Sequence, residues 1–113
     1  MQTLTTEVLK RMRMSNGSFA LINVLPLKQF RVEHIPGSAN IPVADDDFLK
    51  RVGQFVGDKA RTIIVYCANT QCAASTTAAR QLEEAGYSDV YDYKAGMKAW
   101  KESGGSVESS TND

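Results

Sequence analysis

Two residues in this chain, Cys67 and Cys72, have the side-chain chemistry and the placement for covalent catalysis. Cys67 directly follows Thr62-Ile63-Ile64-Val65-Tyr66, a β-branched apolar run that reads as a central strand covered on both faces. The segment Ala68-Asn69-Thr70-Gln71-Cys72-Ala73 then leads into a helix expected over residues 73–85. In such a loop the free N–H groups and the dipole of a helix N-terminus favour negative charge. A cysteine there is expected to ionise below its free value of about 8.5 and to be available as a nucleophile at neutral pH. Position alone leaves a second reading open, that of an inert, buried strand cysteine. The pair is unsuited to a structural staple, because a Cys67–Cys72 bridge closes only a tiny loop in a chain large enough to bury its own core.

The other reactive side chains are weaker candidates. Asp45, Asp46 and Asp47 crowd a helix start, where their charge suits the positive end of the dipole. One acidic cluster without a second group of ligands reads as a solvated helix start, and no metal site is expected. Tyr91, Tyr93 and Trp100 have no interleaved basic residues and read as core rather than as a stacking platform. Lys10, Arg11 and Arg13 read as a solvated helix face. Across the 113 residues, 13 Lys and Arg balance 13 Asp and Glu, leaving no electrostatic footprint for nucleic acid or an anionic membrane. No apolar run approaches the roughly 20 residues of a membrane span, and the N-terminus lacks the pattern of a secretory signal, so the cytoplasm is the expected compartment.

The elements that must hold Cys67 follow from hydrophobic pattern and punctuation. Helices are expected from Thr5 to Met14 (with Val8, Leu9 and Met12 inward), from Pro26 to Glu33, from the three aspartates to about Phe55, over 73–85 and from Gly96 to Glu102. The turn Ser15-Asn16-Gly17-Ser18 stops the first of them. Strands are expected at Phe19–Val24, Ala39–Ile41, Thr62–Tyr66 and Val90–Tyr93. Strands alternating with helices predict an α/β fold, a parallel sheet with helices on both faces. Residues 1–104 read as a single domain, and residues 105–113, rich in Ser, Thr, Asn and acids, as a flexible polar tail.

The order of motifs sharpens this. Leu21-Ile22-Asn23-Val24, Phe30 and His34-Ile35-Pro36-Gly37-Ser38-Ala39-Asn40-Ile41-Pro42 resemble the first half of a rhodanese-like domain. Val65-Tyr66-Cys67, Ala78-Ala79-Arg80, Gly86-Tyr87 and Lys94-Ala95-Gly96-Met97-Lys98-Ala99-Trp100 resemble its second half in the same order. The resemblance implies a three-layer fold with a mostly parallel sheet of about five strands. It also implies a sulfurtransferase whose nucleophile is the first loop residue, Cys67, with the loop Ala68, Asn69, Thr70, Gln71, Cys72 and Ala73 binding the persulfide. The reaction it implies needs no metal or organic cofactor: the thiolate takes sulfur from a small sulfane donor such as thiosulfate, polysulfide or a protein persulfide. The outer sulfur then passes to a thiol, cyanide or protein acceptor. His34 matches a turn histidine whose ring bonds backbone, and a low-pKa thiolate needs no base.

Three departures from the family pattern stand out. Asn23-Val24-Leu25 replaces the usual Asp-Val-Arg after the first strand, Ala68 stands where a basic residue is common, and the loop is longer by about two residues and lacks its glycine. The loop therefore resembles a CxxxxCxAS variant, and the missing basic residue predicts that thiosulfate is a poor donor. Two other classes stay open: a dithiol redox protein cycling a Cys67–Cys72 disulfide, and a catalytically silent binding module. Phosphatase or arsenate chemistry is disfavoured because the loop has no arginine to clamp an oxyanion.

Overall fold

Phe19–Asn23 and Thr62–Tyr66 lie side by side in parallel register, Phe19 opposite Thr62 and Asn23 opposite Tyr66. They form the middle of the sheet in a computed structural model that describes residues 2–15 and 17–110. The strands are β1 (Gln2–Thr3), β2 (Phe19–Asn23), β3 (Ala39–Asn40), β4 (Thr62–Tyr66) and β5 (Val90–Tyr93), all parallel, in the order β1-β5-β4-β2-β3. The helices are α1 (Thr6–Met14), α2 (Leu27–Val32), α3 (Phe48–Val56), α4 (Ala74–Glu84) and α5 (Gly96–Glu102). The α/β expectation, with β4 central, agrees with this architecture. The edge strand β1 has no counterpart in the sequence reading, because two exposed polar residues carry no strand pattern. Asn16, part of the expected helix stop, lies outside the described residues.

Strand alternation divides the core into two layers. Ile63, Val65 and Cys67 join Ala20, Ile22, Val52 of α3 and Ala79 and Leu82 of α4 on one face. Ile64 and Tyr66 join Leu9 of α1, Tyr93, Met97 and Trp100 of α5 on the other. The side chain of Cys67 therefore points to the α3/α4 face, a consequence of the two-residue period along β4. Within α1, Thr5 accepts the N–H of Val8 as the expected cap. Leu9 is buried and Met12 half-buried, whereas Val8 is exposed. The three aspartates are exposed ahead of α3, and Asp45 pairs with Arg51 at 3.2 Å.

Two expectations about the surface are corrected. The basic residues of α1 are not simply solvated: Lys10 and Arg13 lie over the Trp100 ring, 5.8 and 5.3 Å from its centroid. Lys10 also donates to the Ser103 carbonyl at 2.7 Å, and Arg13 to the Pro36 carbonyl at 2.8 Å. Within the described part of the expected flexible tail, residues 105–110 are docked. Glu108 and His34 exchange backbone hydrogen bonds of 2.9 Å in both directions, and Ser110 donates its N–H to the Arg31 carbonyl at 2.8 Å. Trp100 Nε1–H donates to the Ser106 carbonyl at 2.7 Å. A polar composition hides this docking, because backbone groups supply most of the bonds, with one indole and the Ser109 hydroxyl, which donates to the Arg31 carbonyl at 3.2 Å, adding to them. Gly105 permits it: a Cβ there would run into the indole of Trp100. Residues 111–113 of that expected tail lie outside the described residues. Among the described residues no helix is long and apolar enough to cross a membrane.

Candidate active site

Cys67 emerges from the C-terminal end of β4, where parallel α/β sheets place their sites. The loop that follows is held from below by α5: Met97 N–H donates to the Cys67 carbonyl and Lys98 N–H to the Ala68 carbonyl, both at 2.9 Å. This approach requires Gly96, at φ +70°, because a Cβ there would lie 2.5 Å from the Cys67 carbonyl oxygen. Farther along, the Asn69 carboxamide oxygen accepts the Gln71 N–H at 2.9 Å and the Asn69 carbonyl accepts that of Cys72 at 3.0 Å. That tight turn brings Cys72 back over Cys67. Thr70, Gln71 and Ala73 are exposed; Ala68, Asn69 and Cys72 are half-buried. The loop residues singled out from the sequence are thus brought together, with the two sulfurs as neighbours.

The charge distribution differs from the expectation of a thiolate at Cys67. Burial pushes the Cys67 thiol up, and its interaction with Cys72 pushes the same way, against the opposing Ser75 hydroxyl and N–H. Cys67 is fully buried and its Sγ donates to the Cys72 carbonyl at 3.6 Å. At Cys72 burial also raises the thiol, yet the hydrogen bond from Cys67, the N–H groups of Ala74 and Ala68 and the charge of Lys94 outweigh it and hold the thiol below its ordinary value. The anion-stabilising environment expected for the first cysteine therefore forms around the second. The two differ in what opposes burial: at Cys67 the Ser75 groups do not overcome it, while at Cys72 the hydrogen bonds and Lys94 do.

Three further residues belong to the surroundings. Ser75 is fully buried with an unpaired hydroxyl beside the Cys67 sulfur. The signal for it was its place as the last residue of the CxxxxCxAS pattern. Asp92, buried on β5, accepts the Thr76 hydroxyl at 2.7 Å, and Lys94 donates to the same hydroxyl at 3.3 Å. Nothing in a strand pattern flags Asp92, since it is a charged residue within an otherwise apolar run. His34 Nδ1 lies 2.8 Å from the Phe30 carbonyl and its ring stacks on Phe30, so its ring bonds backbone as expected. In place of a charged pair, Asn23 accepts the Leu25 N–H at 2.9 Å and so holds the chain leaving β2. Among the described residues no group of three or more His, Cys, Asp or Glu side chains is placed to hold a metal ion.

A cleft of about 550 Å³ opens between α2 and α5, with Leu25, Val32 and Met97 among its apolar lining and Glu33, Lys98 and Lys101 among its charged lining. It meets the loop at Ala68 and Asn69 and includes neither cysteine. Of the two cysteines only Cys72 has exposed surface.

The family model for the rhodanese-like domain matches residues 5–103. An HTH-type transcriptional regulator of Mycobacterium tuberculosis, Rv0324, is 33% identical over 92 residues, which are 81% of this chain and 38% of the regulator. The chain thus spans well under half the length of that relative. The solution structure of the rhodanese-like domain of the Alr3790 protein from Anabaena is 28% identical, with a TM-score of 0.82, covering 96% of this chain and 80% of that one. A thiosulfate sulfurtransferase from Pseudomonas aeruginosa, 20% identical, has a TM-score of 0.87 over 98% of this chain and 21% of its own, a likeness of fold alone.

Proposed function

The chain belongs to the family of rhodanese-like domains, and from that membership we propose that it is a sulfurtransferase carrying sulfane sulfur as a persulfide on Cys67. The observation that carries the reading is the position of Cys67. It heads the loop after the central strand, with its own carbonyl and that of Ala68 fastened to the first turn of α5. A loop fastened at its base keeps the sulfur in one place through a catalytic cycle. Sulfane sulfur from the donor becomes the outer sulfur of the Cys67 persulfide as the donor S–S bond breaks and its electron pair leaves with the remainder of the donor. A thiol, cyanide or protein acceptor then attacks the outer sulfur and returns the thiolate. The Ser75 hydroxyl and N–H favour charge on the Cys67 sulfur, against its burial. Two free cysteines fit a reducing compartment such as the cytoplasm. Neither a nucleic acid nor a membrane partner is part of this reading.

Thiocyanate formation from polysulfide and cyanide tests it. Cys67→Ser is expected to abolish the activity while leaving the thermal transition near that of the wild type. Activity retained in Cys67→Ser and lost in Cys72→Ser would move the nucleophile to Cys72. The contact between the two thiols favours a second reading, a reversible Cys67–Cys72 disulfide. Mass spectrometry after exposure to sulfur donors separates the two. Sulfur transfer adds one sulfur atom, whereas the redox reading gives loss of two hydrogens with no sulfur gain.

A further inference from the structure

Resting on the reading of Cys67 as the persulfide site, we propose that Cys72 is the port for sulfur: it takes sulfane sulfur from the donor first and hands it inward to Cys67. Cys67 has no exposed surface, and the β4 alternation turns its side chain into the core between the sheet and α3 and α4. A donor in solution meets Cys72, which is half-buried and folded back over Cys67 by the Asn69 turn. The reach between the two is short, since Cys67 Sγ lies 3.6 Å from the Cys72 carbonyl oxygen. Cys72 is also surrounded for anionic cargo: the N–H groups of Ala68 and Ala74 and the Lys94 ammonium all favour negative charge on it. The Ser75 hydroxyl, fully buried and without a well-formed hydrogen bond, favours negative charge on the Cys67 sulfur. A Cys67 thiolate or persulfide supplies it with an acceptor.

The relay needs no oxidant or reductant. The Cys72 thiolate attacks a polysulfide, one S–S bond breaks, and the shortened polysulfide leaves with the electron pair. The Cys67 proton passes to the terminal sulfur of the Cys72 persulfide, and the Cys67 thiolate attacks that sulfur. A new S–S bond forms on Cys67, the S–S bond on Cys72 breaks, and its electron pair returns Cys72 to the thiolate.

The experiment is a rapid-quench reaction of the full chain with inorganic polysulfide, followed by alkylation and tryptic digestion. Both cysteines fall on the peptide Thr62–Arg80, and fragmentation between them locates the added sulfur. In the wild type the sulfur is expected on Cys72 at the shortest times and on Cys67 later. In Cys67→Ser it stays on Cys72. In Cys72→Ser and Cys72→Ala, checked for native circular dichroism, Cys67 is expected to load roughly tenfold or more slowly, because attack requires an accessible thiolate. Wild-type loading of Cys67 in either folded variant would overturn the relay. If neither variant folds, sulfur on Cys67 ahead of Cys72 in the wild type would overturn it. A wild type that gains no sulfur on either cysteine and forms no thiocyanate would instead overturn the sulfurtransferase reading beneath it.

Discussion

At the scale of single residues the two cysteines divide what the sequence assigns to one. Cys72 is held below the ordinary thiol value and Cys67 above it, so of the two Cys72 gives up its proton at the lower pH. Iodoacetamide at neutral pH is expected to label Cys72 roughly tenfold or more faster than Cys67. The gap narrows as the pH rises through the raised value of Cys67. Equal labelling rates at pH 7, read from the same peptide, would contradict the assignment. Ala68 supports a second prediction. It follows Cys67 directly in the loop, where it brings no charge to offset that of a dianionic donor. Ala68→Arg is expected to lower the KM for thiosulfate several-fold at low salt, with the gain shrinking toward about 0.15 M salt as screening sets in. A salt-independent or absent effect would argue against charge as the cause. That Cys67 follows the central strand and heads the loop into α4 was legible from residue order. Which sulfur carries the charge was not, because desolvation depends on which way each side chain turns.

At the scale of elements the loop depends on α5 more than on α4, the helix it runs into. Gly96 lets the first N–H groups of α5 reach the carbonyls of Cys67 and Ala68. Gly96→Ala would place a methyl group 2.5 Å from the Cys67 carbonyl oxygen at a positive φ, costing about 2 kcal/mol or more. The expected result is a lower urea midpoint together with a loss of thiocyanate formation larger than the unfolded fraction explains, because the loop base is displaced. A variant with normal activity and midpoint would show that the loop does not lean on α5. The elements themselves were largely legible: β4, β5 and α5 have the bounds that pattern and punctuation predict. The edge strand β1 and the docked segment after Gly105 were not. β1 is held by backbone pairing with Tyr91 and Asp92, and the segment by backbone bonds to His34 and Arg31 together with the Trp100 indole and the Ser109 hydroxyl; backbone bonds to partners far along the chain leave no local signature.

At the scale of the whole molecule, groups that the fold holds protonated link stability to pH. Burial raises Tyr66, Cys67 and Tyr93, outweighing the hydrogen bonds from Ser38 and Thr6 to the two phenols. A raised group stabilises the fold fully below its unfolded value, 9.0 for the thiol and 10.0 for the phenols. That contribution is lost as the pH climbs through the raised folded values. The urea midpoint is therefore expected to rise as the pH passes from the lowered Cys72 value toward 9.0 and to fall steeply above about pH 10. Tyr66→Phe should flatten part of that fall. At neutral pH it costs roughly 1–3 kcal/mol, because the Ile35 N–H, which donates to the Tyr66 hydroxyl at 3.0 Å, loses its acceptor. A midpoint unchanged up to pH 11 would contradict the linkage. By itself the sequence determined the alternation of strands and helices, the central place of Thr62–Tyr66 and the loop that begins at Cys67, because these are written in local period, punctuation and motif order. Tertiary structure alone decided that Cys67 is sealed under α4, that Cys72 folds back to meet it, that Ser75 stands unpaired beside it and that the C-terminal segment docks on His34. Each of these joins parts of the chain, or sets a depth of burial, that no local pattern encodes.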